Sequence, residues 1–319
     1  MRQQSSSTPY QQRDLYTTLL ADGRPLLLLS GLGLVLAGAF GIFLGLTYQF
    51  LPHDIAYLGL TAEQLCLMHD CRVVEFMVHD RIAFSGAVLS VGLLYLWLTE
   101  FPLQAGHGWA WWVLAASGVA GFGSFLTYLS TGYLDTWHGL ATLCLLPCFT
   151  IGLWRAWRVL PASQRGLSLR GAQPLDWRST YGRGRLLLLI TALGMMGGGL
   201  TILVLGSTIV FVPQDLTFLC TTPDELARLN ARLIPLIAHD RMGFGGAVAT
   251  IGIVVFGIVW YSPPSRHLWQ ILILTSLVGF GTAIGAHPYV GYMDALHLAP
   301  PVMGAAVGAI GIACWQRSM

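Results

Sequence analysis

Val78-His-Asp-Arg-Ile-Ala-Phe-Ser-Gly-Ala-Val88 returns 160 residues later as Ala238-His-Asp-Arg-Met-Gly-Phe-Gly-Gly-Ala-Val248. The correspondence continues on both sides. Leu51-Pro-His-Asp-Ile-Ala-Tyr-Leu58 answers Val212-Pro-Gln-Asp-Leu-Thr-Phe-Leu219, Gly121-Phe-Gly-Ser124 answers Gly279-Phe-Gly-Thr282, and Gly132-Tyr-Leu-Asp-Thr-Trp-His138 answers Gly291-Tyr-Met-Asp-Ala-Leu-His297. The offset stays within two residues of 160 throughout. Chance similarity between apolar helices would not hold that register, so the chain is an internal duplication.

The repeat lies in a chain of 319 residues that is 55% hydrophobic and 10% charged, with a mean hydropathy of +0.64. A soluble domain carries about 25% charged residues, so this composition excludes an ordinary soluble enzyme and points to an integral membrane protein. It leaves no basic face for nucleic acid. All 17 basic residues are arginine, which excludes Schiff-base chemistry, a P-loop lysine and pyridoxal-phosphate attachment.

Apolar runs of membrane-spanning length lie near 26–51, 82–99, 109–130, 136–154, 186–212, 242–261, 268–286 and 294–315. The first lacks a small-residue cleavage site and reads as a membrane helix, not a removable signal. The expectation is an all-α polytopic membrane protein of eight spans in two tandem four-helix bundles. Its segments are a cytoplasmic stretch 1–24, a first repeat 25–157, a cytoplasmic linker 158–184 and a second repeat 185–319. Four spans per repeat is an even number, so both halves share one orientation about an axis along the membrane normal. Twelve arginines fall on one face and five on the other, while acidic residues divide four to eleven in the opposite sense. The positive-inside rule then puts both termini inside, with a bacterial plasma membrane as the expected location.

Before the second span of each half, Thr61 with Gln64, and Thr222 with Pro223 and Glu225, form helix-start signals. Leu226, Leu229, Leu233 and Ile237 follow at helical spacing. Each outer loop is therefore expected to carry an amphipathic helix on the membrane surface leading into that span. Cys66 and Cys71, five apart, would be separated on an intact helix, and free thiols are the favoured reading. Cys220 is a third cysteine on the same face.

Four histidines are repeated: His79 with His239, and His138 with His297. Each half brings two imidazoles to the outer ends of its even-numbered spans, and paired neutral imidazoles are a standard axial set for haem iron. Ala83 and Gly86 below His79, and Gly243 and Gly246 below His239, either leave room for a flat ligand or serve close helix packing. Gly41-x-x-x-Gly45 and Gly194-x-x-x-Gly198 read as packing motifs. Asp135 and Asp294, three residues ahead of His138 and His297, are either carboxylates that orient the imidazoles or helix N-caps. Arg81 and Arg241 are candidates for haem propionates, for pairing with Asp80 and Asp240, or for lipid phosphates. Glu75, four residues before His79, has no acidic counterpart and is the candidate catalytic group. His53, His69, His107, His267 and His287 are read as unrepeated and weaker.

The pattern of eight spans in two halves, a helical outer loop before span two, and Glu75, His79 and Arg81 answered by His239 and Arg241 resembles the haem A synthase family. The resemblance implies that His79 and His138 flank a haem being modified and that His239 and His297 hold a permanent haem b. The functional expectation is a haem-binding membrane protein with a redox or haem-modifying role, with haem or a quinone as substrate. The alternatives are a transporter using Asp54, Asp215, Asp80 and Asp240 as an ion relay, a structural subunit, and a non-haem metal held by Glu75, His79 and His138.

Overall fold

The computed structural model describes residues 22–133, 136–168 and 170–317, and these are all-helical. The first repeat comprises α1 (Arg24–Leu46), α2 (Pro52–Leu58), α3 (Ala62–Met68), α4 (Arg72–Leu98), α5 (Gly108–Leu126) and α6 (Thr136–Val159). The second comprises α7 (Thr180–Ser207), α8 (Pro213–Leu219), α9 (Pro223–Leu229), α10 (Leu233–Tyr261), α11 (Arg266–Val290) and α12 (Ala295–Gln316). Eight of them, α1, α4 to α7 and α10 to α12, are long and apolar enough to cross a membrane. A π-helical turn with Pro102 in it, Thr99–Leu103, extends α4.

Each outer loop holds two seven-residue helices, not the single one expected. Gly59 and Cys220, both in the left-handed conformation, stop α2 and α8. The capping boxes Thr61 with Gln64 and Thr222 with Glu225 then start α3 and α9. Leu58, Leu65, Leu219 and Leu226 are buried in one cluster with Phe76, Leu233 and Ile237. The loop helices therefore cap the bundle and do not lie apart from it. A second break, with Asp70 and Cys71 at positive φ, lets α4 begin at Arg72, ten residues earlier than the hydropathy placed it. That break also brings Cys66 and Cys71 into a disulfide, overturning the free-thiol reading. Cys220 is a free, exposed thiol.

The repeats do not form two self-contained bundles. Helix α4 packs along α1 and α11, α10 packs along α7 and α5, and α4 and α10 cross at the centre. Helix α6 completes one arc against α1 and α5, and α12 completes the other against α7 and α11. Each repeat is thus an arc of four helices closed by the other arc in a pseudo-two-fold arrangement, and α4 hardly touches α5 of its own repeat.

Composition explains the central pair. Their apolar windows are 78% buried, against 17–33% for the other six long helices, as expected of helices that are apolar all round. Small residues set the crossings. A methyl on Gly38 would stand 2.6 Å from the Ser85 carbonyl oxygen, and one on the equivalent Gly199 would stand 2.6 Å from that of Gly245. Gly41 and Gly45 join the first seam as the spacing predicts, whereas Gly194 and Gly198 face open space.

The linker is pinned at the opposite end of the bundle from the capping loops. The fully buried Arg185 donates to the carbonyls of Val259 (3.1 Å), Trp260 (2.7 Å) and Gln173 (2.5 Å), closing the C-terminus of α10.

Two histidine centres and a candidate metal site

The two His-Asp-Arg triplets lie about two turns inside α4 and α10, buried where these helices cross. Their charges pair crosswise. Arg81 donates to Asp240 (3.2 Å) and Asp54 (2.7 Å), and Arg241 to Asp80 (3.1 Å) and Asp215 (2.6 Å). Asp54 and Asp215 are the third residues of α2 and α8, where each also accepts the backbone N–H that opens its helix. Each arginine therefore ties its own loop helix to the other repeat's central helix. Pairing with Asp80 and Asp240 was one expectation, but the partners belong to opposite repeats. The four aspartates of the suggested ion relay are all locked by these arginines. Four carboxylates face two guanidinium groups in a buried layer, where unbalanced charge is costly.

The repeated histidines also associate across the repeats. His79 meets His297 and His287, while His239 meets His138. In the first group, one ring nitrogen from each of His79, His287 and His297 lies within 4.8 Å of the others. The hydrogen bonds fix the tautomers. His79 Nδ1 stands 2.9 Å from Asp80 and His287 Nδ1 stands 2.9 Å from the Ala283 carbonyl, and both partners only accept. Tyr292 donates its hydroxyl to Asp215 (2.8 Å), so its oxygen accepts from His297 Nδ1 at 3.1 Å. All three imidazoles then carry their lone pair on Nε2. Those of His79 and His287 face each other at 3.3 Å, the separation of two nitrogens each about 2.0–2.1 Å from one tetrahedral ion.

One chain of hydrogen bonds runs from His79 through Asp80, Arg241, Asp215 and Tyr292 to His297, so two of the three imidazoles are oriented by a shared support. Burial, and then the Asp215 carboxylate beside it, push the Tyr292 phenol well above its usual range, which keeps it protonated as a donor.

The second group has the same backing and a different outcome. His239 Nδ1 donates to Asp240 at 3.0 Å, and its Nε2 faces His138 Nδ1 at 3.5 Å with the rings stacked at 5.2 Å. His138 can donate to that Nε2. Tyr133 donates to Asp54, as Tyr292 does to Asp215, and stands edge-on to His239. Phe84 and Phe125 turn their edges to His138.

The small residues below the histidines serve packing. A methyl on Gly86 would collide with Thr282 of α11, and one on Gly246 with Ser124 of α5. No room for a flat ligand is left at those two positions. Asp294 is the N-cap of α12, accepting the His297 backbone N–H at 2.8 Å; Asp135 lies outside the described residues. Glu75 is not part of the three-histidine group and lies instead near Tyr48. His69 Nε2–H donates to the Leu219 carbonyl at 2.8 Å, holding the two capping loops together.

His287 was missed because it is not repeated: an offset of 159 falls on Tyr128. Tyr133 and Tyr292 were legible as the Gly-Tyr of the repeated Gly-Tyr-x-Asp-x-x-His, and Asp54 and Asp215 as its Pro-x-Asp element. His107 and His267 form a further pair, 160 apart and each followed by x-Trp, which the first reading passed over.

No protein-family model, curated protein or solved structure matches the chain.

Proposed function

We propose that the protein is an integral multi-pass membrane protein, both termini inside, that holds a first-row transition-metal ion near the outer face through His79, His287 and His297 and uses it in a redox role. The observation that carries this reading is the convergence of three imidazoles whose Nδ1 atoms are all committed, with one ring nitrogen of each within 4.8 Å of the others and the Nε2 atoms of His79 and His287 facing each other at 3.3 Å. A donor set of imidazoles alone suits copper, zinc, iron or nickel, and copper or iron serves the redox role. Three protein ligands leave the fourth position of a tetrahedral ion for a water or substrate, the arrangement of catalytic sites. His297 is the most exposed of the three.

Metal content of the purified full-length protein, measured after equilibration with copper, zinc and iron salts in turn, tests the reading. We expect one ion per chain in the wild type, its loss in His79→Ala, His287→Ala and His297→Ala, and its retention in His138→Ala. A wild type that retains none of the three metals, or a His287→Ala variant that retains the ion fully, overturns it.

A second reading keeps haem b, held by a histidine pair. Its candidate ligands are His138 and His239, whose stacked rings, 5.2 Å apart, would have to separate to admit a porphyrin. Thr282 and Ser124 stand against it, since a porphyrin beside Gly86 or Gly246 would have to part α4 from α11 or α10 from α5. A Soret band that survives His287→Ala and vanishes in His239→Ala would establish haem at that pair.

A further inference from the structure

At the linker end, far along α4 and α10 from the histidine centres, a cleft of about 690 Å³ opens between the two repeats, a size typical of small-molecule sites. Aromatic rings stand in two of its walls, with Glu100, Gln104 and Arg170 among the polar lining residues. On one side Phe101, in the π-helical turn that extends α4, stacks on His267 with ring centroids 4.3 Å apart and planes 8° apart, and Trp97 stands beside both. On the other side Trp109 stacks on Tyr261 at 5.7 Å and 19°, with His107 next to it. His107 with His267, and Phe101 with Tyr261, are repeat equivalents 160 apart, so the cleft straddles the pseudo-two-fold. The linker forms a third wall, fixed by the Ala172 N–H donating to the Trp260 carbonyl at 3.0 Å.

The tautomer of His267 is determined. Trp97 Nε1–H can only donate, and it does so to His267 Nδ1 at 3.1 Å. A neutral His267 therefore carries its proton on Nε2, which is available as a donor in the cleft wall. The occupant such a site fits is a planar conjugated ring that slides between aromatic faces and offers a carbonyl oxygen to that N–H. In a protein read as membrane-spanning, the ends of the long helices lie at the depth where an amphiphilic ring sits with its tail among the lipids. We infer that this cleft binds the headgroup of a membrane quinone. The inference shares the membrane reading above but is independent of the metal centre.

The test uses the full-length protein in detergent, with decylubiquinone and menadione as probes, equilibrium dialysis as readout and empty micelles as the blank. We expect saturable binding near one quinone per chain, weakened about ten-fold or more by His267→Ala and by Phe101→Ala through loss of the donor or of the stacking face, and unchanged in His79→Ala. Thermal unfolding of each variant shows that it is folded. Absence of saturable quinone binding to the wild type overturns the inference, as does binding that both folded variants leave unchanged. Binding of flavin mononucleotide, a water-soluble planar ring, in place of either quinone would also overturn it. If quinone binding persists in a protein that holds no metal, the metal reading fails and this one stands.

Discussion

The two histidine centres share a scaffold and differ by one residue in its effect. Each has an imidazole backed by an aspartate that the opposite repeat's arginine neutralises, and each has a tyrosine donating to the loop-helix aspartate. In the His138–His239 centre, one ring can supply the N–H that the other ring's Nε2 lone pair accepts. Adding His287 to the other centre changes the count: three rings with their N–H groups turned outward leave three lone pairs and no donor among them. Duplication therefore supplied two equivalent frames, and a single unrepeated histidine on α11 makes one of them the candidate metal site.

Changes that make the two centres alike should have the largest effect. Replacing His287 with leucine reduces its centre to a pair, and metal affinity should fall by about a hundred-fold or more, judged against the 10–100-fold typical of losing a mere supporting partner. In the wild type the affinity should fall as the solution is acidified, because protons compete for the same lone pairs, and isothermal titration at a series of falling pH values would check both points.

Next come the arginines. Arg241→Met strands Asp80 and Asp215, and Arg81→Met strands Asp240 and Asp54, so each should cost about 3–5 kcal/mol in detergent unfolding. Equal losses would mark the charge frame as common to both halves. A smaller loss for Arg241→Met when metal is bound would show the ion taking over part of its charge balance.

The capping loops differ as well, since only the first is cross-linked. Cys66→Ser with Cys71→Ser should cost about 2 kcal/mol, as for a short closed loop, whereas Cys220→Ser should leave the unfolding midpoint in place. The smallest effect separates the tyrosines. Tyr292→Phe breaks the link between Asp215 and His297 and should weaken metal binding about ten-fold, the lower range for a supporting contact. Tyr133→Phe, at the other centre, should leave metal binding unchanged.

Much of this was legible from a few residues. The triplet His79-Asp80-Arg81 and its copy announced the duplication, and the eight apolar runs announced the long helices. Capping residues Thr61 and Thr222 marked where the loop helices begin. Two of the three proposed ligands, His79 and His297, were visible as repeated histidines. His287 was not, because repetition is blind to a residue present once. His107 and His267 were visible in principle, since their x-Trp context repeats, and only the cleft showed why they matter.

The sequence by itself determined the elements: helices long enough to span a membrane follow from local hydropathy, and their ends follow from capping residues and left-handed positions. It determined which residues are equivalent in the two halves. It did not determine which copy packs against which. A repeat makes α5 and α11 interchangeable as neighbours of α4 in local terms, and only the tertiary structure chose α11. That choice rests on long-range fits between surfaces, such as Gly86 against Thr282 and Arg81 against Asp240, whose partners lie about half the chain away. The same choice decided which histidines share a centre.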